Sequence, residues 1–269
     1  MTGRTVVITG ASSGIGREAA IALAARGASV AVVGRDAART AAVARLVGGR
    51  GFTADFDRLD DVRRLAVELL GAYDRIDVLA NNAGGLIPRR GRTVDGHERT
   101  IQSNHLAPFL LTSLLLPRLV ESNARVIGTA SVANRWARLR IDNLDWRRRP
   151  WFGGWGAYGT SKLATILFTE ELARRTGLEA YSFHPGLVST SFGVGSPIMA
   201  LAQLSGNAGI SAAAGAVPLV ELASTTDVGT PSGCYFDTLT PNGRRHRDSG
   251  DPALAAALWE ESARRVGIR

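Results

Sequence analysis

The sequence is poor in the features that indicate secretion, a membrane span or a metal centre. Its single cysteine, Cys234, excludes an intramolecular disulfide, and the apolar stretch around it (GCYFD) favours a buried thiol over a reactive one. No run of about 18 apolar residues occurs, and the first strand pattern begins within a few residues of Met1, so we predict neither a transmembrane helix nor a signal peptide. Histidine, cysteine and carboxylate residues nowhere show the spacing of metal ligands. We therefore expect a cytoplasmic protein with no metal site.

Lysine is nearly absent as well. The 269 residues include 31 arginines but only one lysine, Lys162. It follows Tyr158 by four positions in the helical pattern AYGTSKLATILFT, which places the phenol and the ammonium on one helix face. All other basic side chains apart from histidine are arginines, which carry a planar guanidinium. Lys162 instead carries a compact ammonium at the end of a flexible side chain. The pair Tyr158 and Lys162 is therefore the first candidate for chemistry.

The charge is strongly one-sided. The formal net charge is +8 and the sequence pI is about 10.8, values that fit a nucleic-acid or anionic-surface partner as well as an anionic cofactor. The arginines are scattered, however, and their densest groups are only residues 147–149 and 244–247. Short groups of this kind are typical of solvated loops, so we predict no nucleic-acid partner.

Strand and helix patterns alternate along the chain without a linker or a low-complexity tract. Strands are predicted at 5–9, 28–33, 51–54, 76–80, 125–128, 179–183 and 233–236, and helices at 17–26, 37–46, 59–70, 95–119, 158–175, 211–223 and 252–266. Pro108 within the longest helix predicts a kink near Asn104. The alternation predicts an α/β protein, a single-domain, Rossmann-like doubly wound fold with a mainly seven-stranded parallel sheet flanked by helices. Residues 132–156 are interpreted as a surface excursion and residues 187–210 as a flap over the site.

The first strand runs directly into a glycine-rich turn and a helix. Glycines permit a close backbone approach to a pyrophosphate there, and the helix N-terminus adds partial positive charge. The candidates for this contact are Gly10, Ser12, Ser13, Gly14, Ile15 and Gly16. The spacing G-x-x-x-G-x-G differs from the dinucleotide fingerprint G-x-G-x-x-G, so a tight turn without a ligand stays an alternative.

Three residues after the second strand bear on the choice of cofactor. In this architecture they lie beside the adenosine ribose, where a carboxylate favours NAD and an arginine accommodates a 2′-phosphate. Gly34 stands where the acidic residue would be, and Arg35 follows it. NADP(H) is therefore favoured, and NAD(H) stays possible because Asp36 is either a ribose ligand or the N-cap of helix 37–46.

Further candidates follow the later strands, at the edge of the sheet where ligands gather. Asp55 and Phe56 are placed to contact the adenine, whereas the three acidic residues that follow are expected to cap and charge the next helix. Those three are Asp57, Asp60 and Asp61. The remaining candidates are Asn82, Ala83 and Gly84 after the fourth strand, Ser131 after the fifth, and Pro185 and Gly186 after the sixth.

Taken together and in this order, these motifs resemble the short-chain dehydrogenase/reductase family. The matching pieces are Thr9-Gly10-x-x-x-Gly14-Ile15-Gly16, Asn81-Asn82-Ala83-Gly84, Asn104, Ser131, Tyr158-x-x-x-Lys162 and Pro185-Gly186. The segments DGHERTIQSNHLAPFLLTSLLLPRL, AYGTSKLATILFTEELARR and HPGLVST are similar to the branch that includes retinol dehydrogenases and the WW-domain oxidoreductase. The resemblance covers nearly the whole chain, with residues 1–130 as the mainly cofactor-binding half and residues 131–269 as the catalytic and substrate-binding half.

The resemblance implies a role for each matching residue. Tyr158 would be the general acid in carbonyl reduction and the base in alcohol oxidation, while Lys162 would lower the pKa of that phenol and bind the nicotinamide ribose. Ser131 would donate to the carbonyl oxygen, and Asn104 would hold a water that links Lys162 to solvent. Thr190 is implied to contact the nicotinamide carboxamide, and the other cofactor-binding residues predicted after the sixth strand are Pro185, Gly186 and Val188.

The expected function is NADP(H)-dependent interconversion of a carbonyl and an alcohol on a small, largely apolar molecule. Two alternatives stay open: a non-catalytic NADP(H)-binding sensor or scaffold on the same fold, and an NAD-dependent alcohol dehydrogenase. The resemblance also implies a homodimer or homotetramer built through helices 95–119 and 158–175. Residues 134–156 and 187–210 should shape the substrate pocket, and they carry no pattern that identifies the substrate.

Overall fold

Eight strands form one sheet in the computed structural model, which describes residues 1–188 and 209–268. The strand order is β3-β2-β1-β4-β5-β6-β7-β8. The bounds are β1 Thr5–Thr9, β2 Ser29–Gly34, β3 Arg50–Thr53, β4 Val78–Asn81, β5 Arg125–Thr129, β6 Glu179–His184, β7 Tyr235–Asp237 and β8 Thr240–Pro241. The first seven strands are parallel, which confirms the predicted Rossmann-like fold, and β8 adds an antiparallel strand beside β7. Strand β8 consists of only two residues, one of them a proline, and they form no apolar run. The sequence therefore does not predict this strand.

Helices of the described residues cover both faces of the sheet. Their bounds are α1 Gly14–Ala25, α2 Ala37–Leu46, α3 Leu59–Ala72, α4 Arg99–Ile101, α5 Ala107–Glu121, α6 Trp155–Thr176, α7 Ala212–Ser224 and α8 Pro252–Val266. Side chains alternate along β1, so Val6 and Ile8 join the core under α1, α2 and α7, whereas Val7 joins the core under α3, α5, α6 and α8. Burial on both faces explains why the strands are continuous apolar runs.

The predicted kink in the long helix is present, but this helix begins later than predicted. A π-helical turn, Gln102–Leu106, separates α4 from α5. Pro108 has no N–H to donate to the carbonyl of Asn104, so the regular hydrogen-bond pattern is interrupted at this point. The residues before α4 act as caps instead of extending the helix: Asp95 accepts the first amide of α3 at 3.0 Å, and Glu98 is the N-cap of α4.

The acidic residues near the start of α3 divide into two groups. Asp60 and Asp61 lie in the first turn of the helix, as predicted, where they complement its dipole. Asp57 does not cap the helix, contrary to the prediction. Its carboxylate pairs with Arg99 of α4 at 2.5 Å and so joins two segments that are far apart in the sequence.

Residues 132–156 do not form a mere surface excursion, and that interpretation is wrong. The segment contains three 3-10 turns: Val132–Trp136, Ile141–Asn143 and Phe152–Gly154. Leu144 and Trp146 are only 1% and 4% exposed, and Leu144 belongs to the same core as α5 and α6. The segment therefore contributes buried apolar area to the domain.

The helix α8 packs across the outer surface of α5 and α6. Its Trp259 stacks on Phe168 with ring centroids 5.7 Å apart and meets Phe109 edge-on at 5.0 Å. The Arg175 guanidinium lies over the same indole, 4.9 Å from the ring centroid. The helices implied for subunit association are thus partly covered by the chain's own α8.

Three smaller observations complete the fold. Cys234 is a buried free thiol, as predicted. Among the helices described, none has the length and apolar character needed to cross a bilayer. Within residues 1–188 and 209–268, histidine, cysteine and carboxylate side chains form no group of three that could hold a metal ion.

Candidate active site

The glycine-rich turn joins β1 to α1 and brings backbone amides to the carboxyl edge of the sheet. Gly10 and Gly14 have φ angles of 68° and 55°, in the left-handed region that glycine adopts without strain. A Cβ on Gly16 would lie 2.5 Å from the Gly10 carbonyl oxygen, so the turn is tight. Ser13 precedes α1 without a side-chain cap, which leaves the first amides of the helix to bind an anion. The turn fits a pyrophosphate.

Thr9 and Asn82 fasten this turn to the neighbouring strands. The Thr9 hydroxyl donates to the Ala80 carbonyl at 3.2 Å and accepts the amides of Asn82 and Ala83, each at 3.0 Å. The Asn82 side chain donates to the Thr9 carbonyl at 2.9 Å and accepts the Thr129 hydroxyl at 3.2 Å. Asn82 and Ala83 therefore lie at the predicted edge, and Asn82 also joins β1, β4 and β5.

The loop after β2 has no room for an acidic side chain at position 34. A Cβ on Gly34 would overlap the Thr40 hydroxyl oxygen and lie 2.8 Å from the Ser12 Cβ. Asp36 is the N-cap of α2, because its carboxylate accepts the amide of the third helical residue at 2.9 Å, and this bond lowers its pKa. Arg35 is exposed, and within the described residues no hydrogen bond or ion pair engages its guanidinium.

Ser131, Tyr158 and Lys162 come together where β5 ends against α6. Tyr158 and Lys162 are 5% and 4% exposed, and the Lys162 Nζ lies 5.6 Å from the Tyr158 ring centroid. The Ser131 side chain interacts with the Tyr158 phenol and acts to lower its pKa. The Lys162 ammonium donates to the Thr129 carbonyl at 2.7 Å, and the Ser131 hydroxyl oxygen accepts the Ala133 amide at 3.2 Å. The structure thus unites residues that the sequence separates by up to 31 positions.

Burial controls the protonation of these groups. It disfavours the charged forms, so it raises the pKa of Tyr158 to about 12 and lowers the pKa of Lys162 to about 8. The interaction with the Ser131 side chain acts on the pKa of Tyr158 in the opposite direction and is the smaller of the two effects. The protein's own groups thus shift the pKa of the phenol upward, opposite to the direction expected from Lys162.

Asn104 lies in the π-helical turn and binds the glycines that follow β4. Its side-chain amide donates to the Gly85 carbonyl and to the Ser161 hydroxyl, and its side-chain carbonyl accepts the Gly85 amide at 3.0 Å. A Cβ on Gly84 would lie 2.8 Å from the Asn104 Oδ1 and 3.5 Å from the Lys162 Nζ. Asn104 therefore positions a backbone segment next to Lys162, and its water-holding role stays a prediction.

The segment after β6 lies on the other side of the site. Pro185 and Gly186 directly follow the last residue of the strand, and Gly186 has a φ of 90°. A Cβ on Gly186 would lie 2.8 Å from the Ile210 Cδ1, and Val188 forms a parallel bridge with Ile210. Thr190 and most of the predicted flap at 187–210 lie outside the described residues.

The two residues predicted to contact the adenine are held by local hydrogen bonds. The Asp55 carboxylate accepts the Asp57 amide at 3.1 Å, and the Asp55 amide donates to the Asp61 carboxylate at 3.0 Å. The Phe56 ring is buried in the core under α3 and α5, while its carbonyl accepts the Gln102 side-chain amide at 3.3 Å. Both residues stay predicted cofactor contacts.

Three residues of the site are missing from the predicted set, although each touches a predicted one. Thr9 binds Asn82, the Thr129 carbonyl receives Lys162, and the Ser161 hydroxyl receives Asn104. Thr9 and Thr129 are the last residues of β1 and β5, so their place at strand ends is a usable signal. Ser161 has no signal of its own, because its partner is distant in the sequence.

A comparison with protein families decides the relationship of the chain. The profile of the short chain dehydrogenases matches residues 4–141, just over half of the chain. The chain belongs to the short-chain dehydrogenase/reductase family. Membership makes it an oxidoreductase that acts on CH–OH and C=O groups with a nicotinamide cofactor.

Individual relatives agree with the predicted branch of the short-chain dehydrogenase/reductase family. A Streptomyces sp. (strain C5) protein provisionally named daunorubicin C-13 ketoreductase DnrU is 45% identical over 277 residues, which cover 99% of this chain and 94% of that protein. Human retinol dehydrogenase 13 is 34% identical over 284 residues, which cover 99% of this chain and 85% of that protein. The chain is thus similar both to a ketoreductase and to retinol dehydrogenases.

Solved structures confirm the fold. A protein of Mycobacterium paratuberculosis with no assigned function superposes with a TM-score of 0.81 at 35% identity, covering 100% of this chain and 95% of that one. A short-chain dehydrogenase of Shigella flexneri complexed with NADP superposes with a TM-score of 0.69 at 27% identity, covering 88% of this chain and 98% of that one. The single-domain architecture is therefore shared with proteins of the same family.

Proposed function

We propose that the chain is an NADP(H)-dependent carbonyl reductase in which Tyr158 is the general acid. The observation that carries this proposal is the buried group at the end of β5, where the Lys162 Nζ lies 5.6 Å from the Tyr158 ring centroid and the Ser131 side chain interacts with the Tyr158 phenol. A positioned acid, a hydroxyl donor and a cation are the parts that reduction of a carbonyl requires. Intact versions of all three support an enzyme over a non-catalytic sensor.

At neutral pH these residues have the protonation states that reduction of a carbonyl uses. When bound, the cofactor supplies the hydride that the carbonyl carbon accepts. Ser131 donates to the carbonyl oxygen as negative charge develops there, and Tyr158 transfers its phenolic proton to that oxygen. A pKa raised to about 12 keeps this proton on Tyr158 at neutral pH. Lys162, with a pKa of about 8, is mostly charged at neutral pH and stabilises the phenolate that the transfer leaves.

The loop after β2 supports NADP(H) over NAD(H). A carboxylate that would bind the ribose 2′-OH has no place on Gly34, because a side chain there would overlap Thr40. The Asp36 carboxylate is already engaged by the N-terminus of α2 and by an ion pair with Arg39 at 3.2 Å. Arg35 is exposed at the same loop, where its guanidinium is available for a 2′-phosphate.

The proposed substrate is a ketone with an apolar, aromatic body. Trp155 meets the ring of Tyr158 edge to face at 6.2 Å, and Leu86 and Ala133 pack in the same cluster. These residues give the site an apolar wall beside the proton donor. The name of the Streptomyces relative, a ketoreductase, supports the same substrate class.

The proposal is tested by following NADPH oxidation with a panel of aromatic ketones. We expect Tyr158→Phe to lower kcat by about a thousandfold, because the proton donor is lost. Tyr73→Phe is the matched control, since Tyr73 directly follows α3 and its buried hydroxyl has no hydrogen-bond partner among the described residues. Turnover that survives Tyr158→Phe would refute the assigned mechanism, and NADPH binding without turnover of any ketone would favour a sensor.

The cofactor is tested separately by binding titrations. We expect Arg35→Ala to raise the Kd for NADPH about tenfold and to leave the Kd for NADH unchanged, because one charge-assisted contact to phosphate is removed. Arg45→Ala, in the last turn of α2, serves as the control, because this variant has the same net charge as Arg35→Ala. Equal effects of the two substitutions would mean that Arg35 acts only through overall charge.

A further inference from the structure

The indole N–H of Trp155 is a buried donor with no acceptor, next to Tyr158. Trp155 is the first residue of α6 and lies one turn before Tyr158, so the two side chains share a helix face. Their ring centroids are 6.2 Å apart with an interplanar angle of 89°. The Trp155 Nε1 is shielded from solvent, and within the described part of the chain it has no hydrogen-bond partner.

Two neighbouring tryptophans show that this segment can satisfy indole donors. Trp146 donates to the Pro150 carbonyl at 3.1 Å, and Trp151 donates to the Pro88 carbonyl at 2.6 Å. A buried donor without a partner is destabilising, and such groups are rare in native proteins. Trp155 is the exception among these three tryptophans, and it lies beside the proposed proton donor, where a bound substrate can supply the acceptor.

Glycines on both sides of Trp155 allow close packing of the chain at the start of α6. Gly153 and Gly154 have φ angles of 64° and 83°, which turn the chain sharply into α6. A Cβ on Gly154 would overlap the Ile87 carbonyl oxygen, and a Cβ on Gly156 would overlap the Trp146 ring. Close packing of the chain on both sides of Trp155 therefore depends on residues without side chains.

We infer that Trp155 determines substrate specificity by donating its indole N–H to a second oxygen of the substrate. The inference rests on the proposed carbonyl reduction at Tyr158, and it narrows the substrate class to ketones that carry a second acceptor oxygen near the reacting carbonyl. A donor buried away from water binds such an oxygen without competition from solvent. A site built around a buried hydrogen-bonding group discriminates against the analogue that lacks the matching oxygen.

Benzil and deoxybenzoin form the matched substrate pair for the test. They differ at one position, where benzil has a second carbonyl and deoxybenzoin has a methylene group. In each reduction, one hydride from NADPH adds to the carbonyl carbon and one proton adds to its oxygen, which yields the alcohol and NADP⁺. We expect Trp155→Phe to raise the KM for benzil about five- to tenfold and to change the KM for deoxybenzoin less than about twofold.

Trp151→Phe is the control, because it also removes an indole donor but leaves the Pro88 carbonyl without its partner. We expect Trp151→Phe to affect both ketones alike and to lower the free energy of unfolding in urea more than Trp155→Phe does, because both variants lose packed ring atoms but only Trp151 loses a hydrogen bond. Equal KM changes for the two ketones in Trp155→Phe would overturn the inference. So would a loss of stability like that of Trp151→Phe, since it would reveal a partner within the protein.

The outcomes also separate this inference from the proposed function. If the wild-type protein reduces neither ketone, both the proposed function and the inference about Trp155 are refuted. A wild-type protein that reduces both ketones, together with a Trp155→Phe variant that does not discriminate between them, would remove the specificity role of Trp155 alone.

Discussion

Replacing Lys162 by methionine should abolish activity and yet leave the fold at least as stable as the wild type at neutral pH. Burial lowers the pKa of Lys162 from 10.5 to about 8, so the folded state disfavours the charged amine. At 1.36 kcal/mol per pH unit, this shift corresponds to about 3 kcal/mol. Methionine fills similar space without a charge. It leaves the Thr129 carbonyl without the donor now 2.7 Å away, which costs about 1–3 kcal/mol.

The sign of the pH dependence follows from the direction of the shift. Between about pH 8 and pH 10.5 the unfolded chain binds one more proton at Lys162 than the folded chain. Wild-type stability therefore rises with pH across this window, and below it the full penalty of about 3 kcal/mol is present. Lys162→Met has no such group. As the pH increases, the free energy of unfolding of the wild type should therefore rise relative to that of the variant.

Urea denaturation of the cofactor-free protein at several pH values measures this difference. We expect Lys162→Met to be between about 0 and 2 kcal/mol more stable than the wild type at about pH 7, and to lose about 3 kcal/mol relative to it by about pH 10.5. Lys162→Arg is the control, because a guanidinium stays charged throughout the range and shows no such recovery. A difference between wild type and Lys162→Met that does not vary with pH would refute the reasoning, as would a clearly less stable variant at about pH 7.

Two further predictions concern the glycine turn and α8. Gly16→Ala should destabilise the fold by about 1–3 kcal/mol and raise the Kd for NADPH at least about tenfold, because the new Cβ would lie 2.5 Å from the Gly10 carbonyl oxygen. Gly71→Ala in α3, where a Cβ meets nothing within 4 Å, is its control, and unchanged NADPH binding in Gly16→Ala would contradict the fit of the turn to a pyrophosphate. Trp259→Ala should lower the free energy of unfolding by about 3 kcal/mol and promote self-association measured by sedimentation, because it uncovers Phe109 and Phe168. A stable, unassociated Trp259→Ala variant would show that α8 does not need this contact.

Local patterns predict the parts of the fold whose signals are local. Strand β1 is a β-branched run buried on both faces, and the glycine turn directly follows it, so both are readable from a few neighbouring residues. Cys234 and the kink near Asn104 are likewise decided by their immediate surroundings. The Tyr158 and Lys162 pair is predictable because helical spacing alone puts both side chains on one face.

Features that depend on distant partners escape prediction from the sequence. The helix expected at 95–119 starts late because Asp95 caps α3, a contact between segments 36 positions apart. Asp57 looks like a cap but pairs with Arg99, and residues 132–156 look exposed but bury Leu144 in the main core. The upward pKa shift of Tyr158 is also missed, because burial is a property of the assembled fold.

The solitary lysine makes the active site a natural target for chemical labelling. Amine-directed reagents such as N-hydroxysuccinimide esters attack unprotonated amines, and apart from the α-amino group this chain offers them only Lys162. Its 4% exposure keeps reagents away from the amine while the site is closed. The rate at which a second label enters each molecule would therefore report how often the proposed catalytic site opens, at one atom and without an engineered probe.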